Sequence, residues 1–244
     1  MNINTLPEQE DPMGAAIRDY FRQGKSAQLK VLSSLFDDDE MPVAHLFRSY
    51  HEMPPLEQRA LNEARGKVLD VGAGAGCHAL ALQERGLDVT AVDISPLSCE
   101  TMKERGVANV ECVNIFNQRF QERFDTLLLL MNGTGIAGKL SRLQQLLSRL
   151  KQLMNPSAQI LIDSSDLRYV YEDENGVLED VDLDGAYYGE VDYQMTYRNI
   201  KGKRFDWLYA DFVVLAECCR QCGLKCEILA QGNHYDYLAR IVQM

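Results

Sequence analysis

The sequence has no apolar run near the roughly 20 residues that span a bilayer; its longest, "TLLLLM" at 126–131, has the length of a buried strand. The N-terminus, "MNINTLPEQEDPMG", lacks the basic start and apolar stretch of a secretory signal, so a cytoplasmic protein with no membrane partner is expected. Basic charge is scarce: 25 Lys and Arg face 36 Asp and Glu, a net charge of −11, and no basic cluster offsets it. Such a chain repels phosphate backbones, and nucleic acid is not expected as a partner. Repeats and low-complexity tracts are also missing. The seven cysteines are an odd number in a chain without a signal, which predicts reduced thiols. Four of them, Cys218, Cys219, Cys222 and Cys226, raise the question of zinc, but they fall on a predicted helix closed by Gly223 and the strand after it. Structural zinc draws its ligand pairs from separate knuckles, so these cysteines are expected to pack as small apolar groups and no metal is expected.

What is present is ordinary globular usage, 46% apolar and 25% charged, in 244 residues, enough for one large α/β core with attachments. From residue 67 the pattern alternates: strand "KVLDVG", helix "CHALALQERG", strand "DVTAVDIS", helix "PLSCETMKERG", then strands "NVECVN" and "DTLLLLMNG", helix "LSRLQQLLSRLKQLM" and strand "AQILIDSS". This order predicts a Rossmann-like, doubly wound, mostly parallel sheet of seven strands. The last two, "KCEILAQ" and "HYDYLARIVQ", read as a hairpin that adds an antiparallel final strand. Residues 1–60 read as an N-terminal helical extension, with helical spacing in "AAIRDYFRQG" and "SAQLKVLSSLF", and 61–244 as the core. Within the core, 166–210 reads as an insertion: an acidic loop, "VYEDENGVLEDVDLDG", then a β-hairpin turning at "IKGK".

The stretch "KVLDVGAGAGCHALALQERG" places a glycine loop between a strand and a helix. No Gly-Lys-Ser/Thr follows, which excludes a nucleoside-triphosphate loop, and the dinucleotide pattern fits only in a shifted register through Gly74, Gly76 and Ala79. Asp70 stands before the glycines, poorly placed for a pyrophosphate and well placed for an ammonium group. Asp93 ends the next strand, nineteen residues after Gly74, where a carboxylate accepts hydrogen bonds from a ribose diol. The loop therefore asks for adenosine and a positive charge without phosphates, which S-adenosyl-L-methionine provides. A helix cap for Asp70 and a turn role for Asp93 are the plainer alternatives.

On these motifs the sequence resembles the class I S-adenosylmethionine-dependent methyltransferases: "VLDVGAGAG" is similar to their first motif, "VTAVDIS" to the second, "VECVNIF" to the third and "FDTLLLLMNGTG" to the fourth, over residues 60–165. The resemblance implies backbone contact with the cofactor at Gly72, Ala73 and Gly74, the amino group at Asp70, the ribose at Asp93 and adenine on Ile94. Asn114 and Ile115 stand where the family often has Asp and an apolar residue, so the amide oxygen would meet the adenine amino group. Met131 and Asn132 would touch the methionine end or the acceptor. The paired prolines that adenine- and glutamine-directed enzymes carry after the fourth strand are missing here.

The resemblance implies methyl transfer by in-line displacement, which needs alignment and desolvation more than a fixed catalytic triad. A general base is needed only for some acceptors. His51 and Tyr50, in the segment before the core, are the candidates, with Arg48 beside them and His78 after the glycine loop; surface or packing roles are the plainer alternative. The aromatics Tyr187, Tyr188, Tyr193, Tyr197, Trp207 and Tyr209 gather on the insertion. Three roles stand for them: packing on the core, a cage for the acceptor, or a homodimer contact. A small-molecule acceptor is expected, with a protein or RNA acceptor, or a non-catalytic cofactor-binding regulator, as alternatives.

Overall fold

A computed structural model describes residues 5–172 and 185–244. Most of the acidic stretch expected between 170 and 185 lies outside the described residues. Seven strands form the central sheet: β3 (Lys67–Val71), β4 (Asp88–Asp93), β5 (Asn109–Cys112), β6 (Phe124–Leu129), β7 (Met154–Ser165), β11 (Leu224–Gln231) and β12 (Asp236–Gln243). Their order is β11-β12-β7-β6-β3-β4-β5. Only β12 runs against its neighbours, pairing antiparallel with β7 and β11. The connection order reverses between β3 and β6, so the carboxyl ends of these strands open a crevice at the switch point, where α/β sheets bind ligands.

Helices cover both faces. α5 (Leu140–Gln152) and α6 (Phe212–Gln221) bury Leu146, Leu150 and Leu215 on one side. On the other, α2 (Pro55–Glu63), α3 (Cys77–Glu84) and α4 (Pro96–Glu104) bury Leu61, Leu82 and Met102 against Val68 and Ala91. α4 starts as the sequence dictates, with Pro96 in its first turn and the Ser95 hydroxyl accepting the Ser98 N–H at 2.9 Å. The seven cysteines are free thiols, and no cluster of metal-ligating side chains occurs among the described residues. None of the helices there is long and apolar enough to cross a membrane.

The N-terminal extension differs from the helical expectation. α1 (Pro12–Gln23) forms, capped by Asp11, but "SAQLKVLSSLF" contributes a strand, β1 (Leu29–Leu32), and β2 (Asp39–Met41) follows it. Pairing overrides the helical spacing: β1 lies between β2 and β8 (Glu190–Tyr197), with Leu29 opposite Met41 and Tyr197. The insertion thus completes an antiparallel sheet with the N-terminal segment. Its reversal comes at Arg198 and Asn199, ahead of the expected "IKGK", with Arg198 left-handed at φ 52°. β9 (Ile200–Lys201) and β10 (Phe205–Leu208) both pair with β8. A third apolar cluster of Ile17, Leu29, Leu46, Leu97 and Tyr197 ties this sheet and α1 to α4 of the core.

Candidate active site

β3 delivers Asp70 to the crevice and then breaks into the glycine loop, where Gly72, Gly74 and Gly76 adopt φ of 75°, 57° and 81°, a region L side chains rarely enter. Nothing lies within 4 Å of where a Cβ on Gly74 would stand, so the loop presents bare backbone to open space. β4, the neighbour of β3, ends at Asp93, which binds the loop: Gly74 N–H donates to Oδ2 and Ser95 N–H to Oδ1, both at 2.8 Å. Burial pushes the Asp93 carboxyl up to about 6, although these two N–H groups pull it down.

These residues line one cavity of about 880 Å³. Of the residues predicted from sequence, Asp70, Gly72, Ala73, Gly74, Asp93, Ile94, Asn114, Ile115 and Met131 are in its wall. Asn132, Tyr50 and His51 are not. The Tyr50 hydroxyl donates to Asn62 at 3.0 Å, and His51 is exposed. Asn132 takes the left-handed conformation after β6, and its buried side-chain amide has no hydrogen-bond partner.

The cavity wall fits an adenosyl sulfonium amino acid. Asp70 is 2% exposed, and its buried Oδ2 has no partner within the protein, an unanswered acceptor of the kind an ammonium group satisfies. The two Asp93 oxygens each keep a lone pair for a ribose hydroxyl beyond the bonds already described. Ile94, 38% exposed, offers an apolar surface for a base, and buried Ile115 lines the same cavity. Asn114 already accepts the Phe116 N–H at 3.0 Å, which fixes the amide beside that surface. The N-terminal segment closes over this end. Leu6 N–H donates to Ile94 carbonyl at 2.8 Å, and the Ser95 hydroxyl donates to Asp11.

Beneath Asp70 lies a buried charge cluster that the sequence did not announce. Glu57, in the first turn of α2, accepts two 2.9 Å bonds from Arg48 and a 2.8 Å contact with His78 Nε2. Burial works against the Glu57 charge, yet His78 and Arg48 hold its carboxyl below the usual value. Burial likewise opposes the His78 charge, and Cys77, Glu57 and Asp70 outweigh it to raise the imidazole well above its ordinary value. A second unannounced residue is Asp163 on β7. Its carboxylate accepts N–H bonds from Met131, Asn132 and Gly133 at 3.1, 2.7 and 3.1 Å. The proline-rich start of α2 marked a helix N-terminus, but no spacing tied Glu57 to His78 or Asp163 to residue 131.

The aromatic stripe of the insertion splits between roles. Tyr197 is buried in the N-terminal cluster, while Tyr187 and Tyr188 donate to Asp211, the cap of α6, at 2.6 and 3.0 Å. Tyr193, Trp207 and Tyr209 stand in the cavity wall, with the Tyr193 and Tyr209 hydroxyls 2.9 Å apart.

A family model described as a methyltransferase domain matches residues 68–157. A crystal structure of an S-adenosylmethionine-dependent methyltransferase from Bacteroides fragilis, in complex with S-adenosyl-L-homocysteine, is 52% identical over 100% of both chains, with a TM-score of 0.94. Two more distant structures share the fold. The sugar N-methyltransferase KedS8 from Streptoalloteichus sp. has 17% identity and a TM-score of 0.59 over 87% of this chain and 97% of its own. The CcbJ methyltransferase from Streptomyces caelestis has 14% identity and a TM-score of 0.64 over 96% of this chain and 98% of its own. No curated protein sequence matches the chain. With the glycine loop, Asp70 and Asp93 arranged around one cavity, the chain belongs to the class I S-adenosylmethionine-dependent methyltransferase family, and S-adenosylmethionine is its cofactor.

Proposed function

We propose that the enzyme methylates a small-molecule acceptor held between the cofactor motifs and the antiparallel sheet above them. The observation that carries this is that one cavity has both surfaces in its wall: its floor is the glycine loop, Asp93 and Met131, and its roof includes Val31, Met41, Tyr193 and Trp207. A roofed chamber of about 880 Å³ is at the upper end of small-ligand sites, which suits a cofactor and a modest acceptor together. The net charge of −11 also disfavours a polyanionic acceptor. The fold neighbour KedS8 is a sugar N-methyltransferase, so this fold serves small acceptors elsewhere.

S-adenosylmethionine supplies an electrophilic methyl group on a sulfonium that is already its own leaving group. The protein's residues have the remaining work of orientation and exclusion of water. Asp70 takes the amino group, Asp93 the ribose, Ile94 and Ile115 the adenine. On the roof, burial raises the Tyr193 and Tyr209 phenols above their ordinary value, so both stay protonated and act as donors or packing surface rather than bases. His51 and Tyr50 lie outside the cavity wall, and no base is drawn from them.

The test is partition of label. Enzyme incubated with tritiated-methyl S-adenosylmethionine and a cell extract should place label in the small-molecule fraction. Label confined to protein or RNA would identify a macromolecular acceptor, and cofactor binding without transfer would identify a regulator.

A further inference from the structure

The turn after β6 holds more strain than a connection needs. Met131 and Asn132 are consecutive non-glycine residues in the left-handed region, at φ 63° and 66°. Such conformations persist only where surroundings over-determine them, and they gather at functional sites. Here the surroundings are one side chain: the Asp163 carboxylate receives three successive N–H groups, from Met131, Asn132 and Gly133.

The same turn carries the roof. A Cβ on Gly135 would collide with the indole of Trp207, so that indole lies directly against the turn's backbone. Thr134, fully buried, donates its hydroxyl to the Leu208 carbonyl at 2.9 Å. Its oxygen is 2.8 Å from the Ser164 hydroxyl, which accepts the Ala210 N–H at 3.0 Å. Residues 163 and 164 of the core sheet therefore grip both the turn and the strand that bears Trp207. Met131, Gly133 and Trp207 all line the cavity.

We propose that Asp163 is a positioning residue for the acceptor: by clamping the turn from Met131 to Gly135 it sets where Trp207 stands in the cavity wall. The proposal rests on the reading that this wall receives a small acceptor. It adds a specific route by which the core sheet, rather than the insertion itself, fixes the acceptor-side surface. Asp70, Gly74 and Asp93 share no hydrogen bond with Asp163, so of the proposed cofactor contacts only Met131 and Asn132 depend on the clamp.

Trp207 is the sole tryptophan, and its emission reports this wall directly. Asp163→Ala removes all three acceptor bonds. Asp163→Asn keeps Oδ1 for Asn132 and Gly133 but presents an amide donor to Met131. With S-adenosylhomocysteine bound, Trp207 emission should shift to the red and acrylamide quenching rise by about twofold in the Ala variant, and less in the Asn variant. Affinity for S-adenosylhomocysteine should stay within about threefold of wild type, because Asp70, Gly74 and Asp93 share no partner with Asp163. A folded Asp163→Ala protein with wild-type emission and quenching would overturn the proposal, as would a loss of cofactor affinity that tracks the emission change. Gly135→Ala is the second arm, needed if Asp163→Ala does not fold: it leaves the clamp intact and displaces only the indole. It should shift the emission and raise the KM of a small acceptor with cofactor affinity unchanged. A shifted emission with unaltered acceptor kinetics would also overturn the proposal. The emission measurements need no acceptor, so they stand even if no small molecule is methylated, a result that would count against the proposed function alone.

Discussion

The backbone N–H of Gly74 donates to Oδ2 of Asp93 at 2.8 Å, joining the first and second cofactor motifs across nineteen residues of chain. In the proposed cofactor site this bond orients the carboxylate toward the ribose and steadies the glycine loop. Asp93→Ala removes both this strut and the proposed ribose acceptor. Calorimetry should show S-adenosylhomocysteine binding weakened by about 2 kcal/mol, some thirtyfold. Binding within twofold of wild type would remove Asp93 from the cofactor site.

The same carboxyl sets a pH dependence. Burial raises Asp93 from 3.8 to about 6, so the folded apo-protein holds this proton more tightly than the unfolded chain does. Its contribution to stability is therefore largest at low pH and declines as pH rises from about 4 through 6. Cofactor binding has the opposite sign, because ribose hydroxyls favour the ionised acceptor. Affinity for S-adenosylhomocysteine should fall as pH drops from 7 to 5, and the part of that fall due to Asp93 should vanish in Asp93→Asn. Identical pH profiles in the two proteins would contradict this assignment.

Gly74 and Gly86 make a matched pair, both at positive φ, 57° and 83°, and both with nothing within 4 Å of a built Cβ. Alanine at either position costs about 1–2 kcal/mol of backbone strain. Only Gly74 faces the cavity. Gly74→Ala should lose more than about tenfold in cofactor affinity while Gly86→Ala loses stability alone. Equal affinities in the two variants would show that the loop's bare backbone is a folding requirement.

Glu57 is the shared anion of Arg48 and His78 in a buried cluster. Glu57→Gln strands two cations and should lower unfolding stability in urea by about 3–5 kcal/mol. The raised His78 value means that its pairing stabilises the fold fully below the ordinary histidine range and is lost as pH rises through the folded value. NMR titration should find His78 shifted down in Glu57→Gln. An unmoved titration would show that Glu57 does not hold the imidazole charge.

His51 is exposed and outside the cavity wall. His51→Ala should keep turnover within about twofold of wild type, as surface substitutions do. A loss of a hundredfold would mean that the N-terminal segment moves onto the acceptor during turnover.

The core and the residues that line the floor of the cavity were legible because they rest on local signals. The glycine loop sits between a strand and a helix, Asp70 and Asp93 end strands whose apolar runs are unmistakable, and Gly86 and Gly106 stop helices. What stayed hidden depends on long-range partners. "SAQLKVLSSLF" has helical spacing, and only pairing with β8, about 165 residues later, makes it a strand. Glu57 and Asp163 gain their roles from partners 21 and 30 to 32 residues away, with no pattern between them. The histidine before the core drew attention by residue type, while the direction it faces was set by a 3-10 turn at Tyr50–Glu52.

In the proposed function cofactor and acceptor share one chamber, under a roof built jointly by the N-terminal strands and the insertion. Hydrogen exchange on the protein with S-adenosylhomocysteine alone, then with a turned-over small acceptor added, tests it most directly. Added protection is expected on the acceptor's arrival in residues 190–209 and 29–41, with the glycine loop already protected by the cofactor alone. Acceptor-dependent protection elsewhere, with both roof segments unchanged, would contradict it.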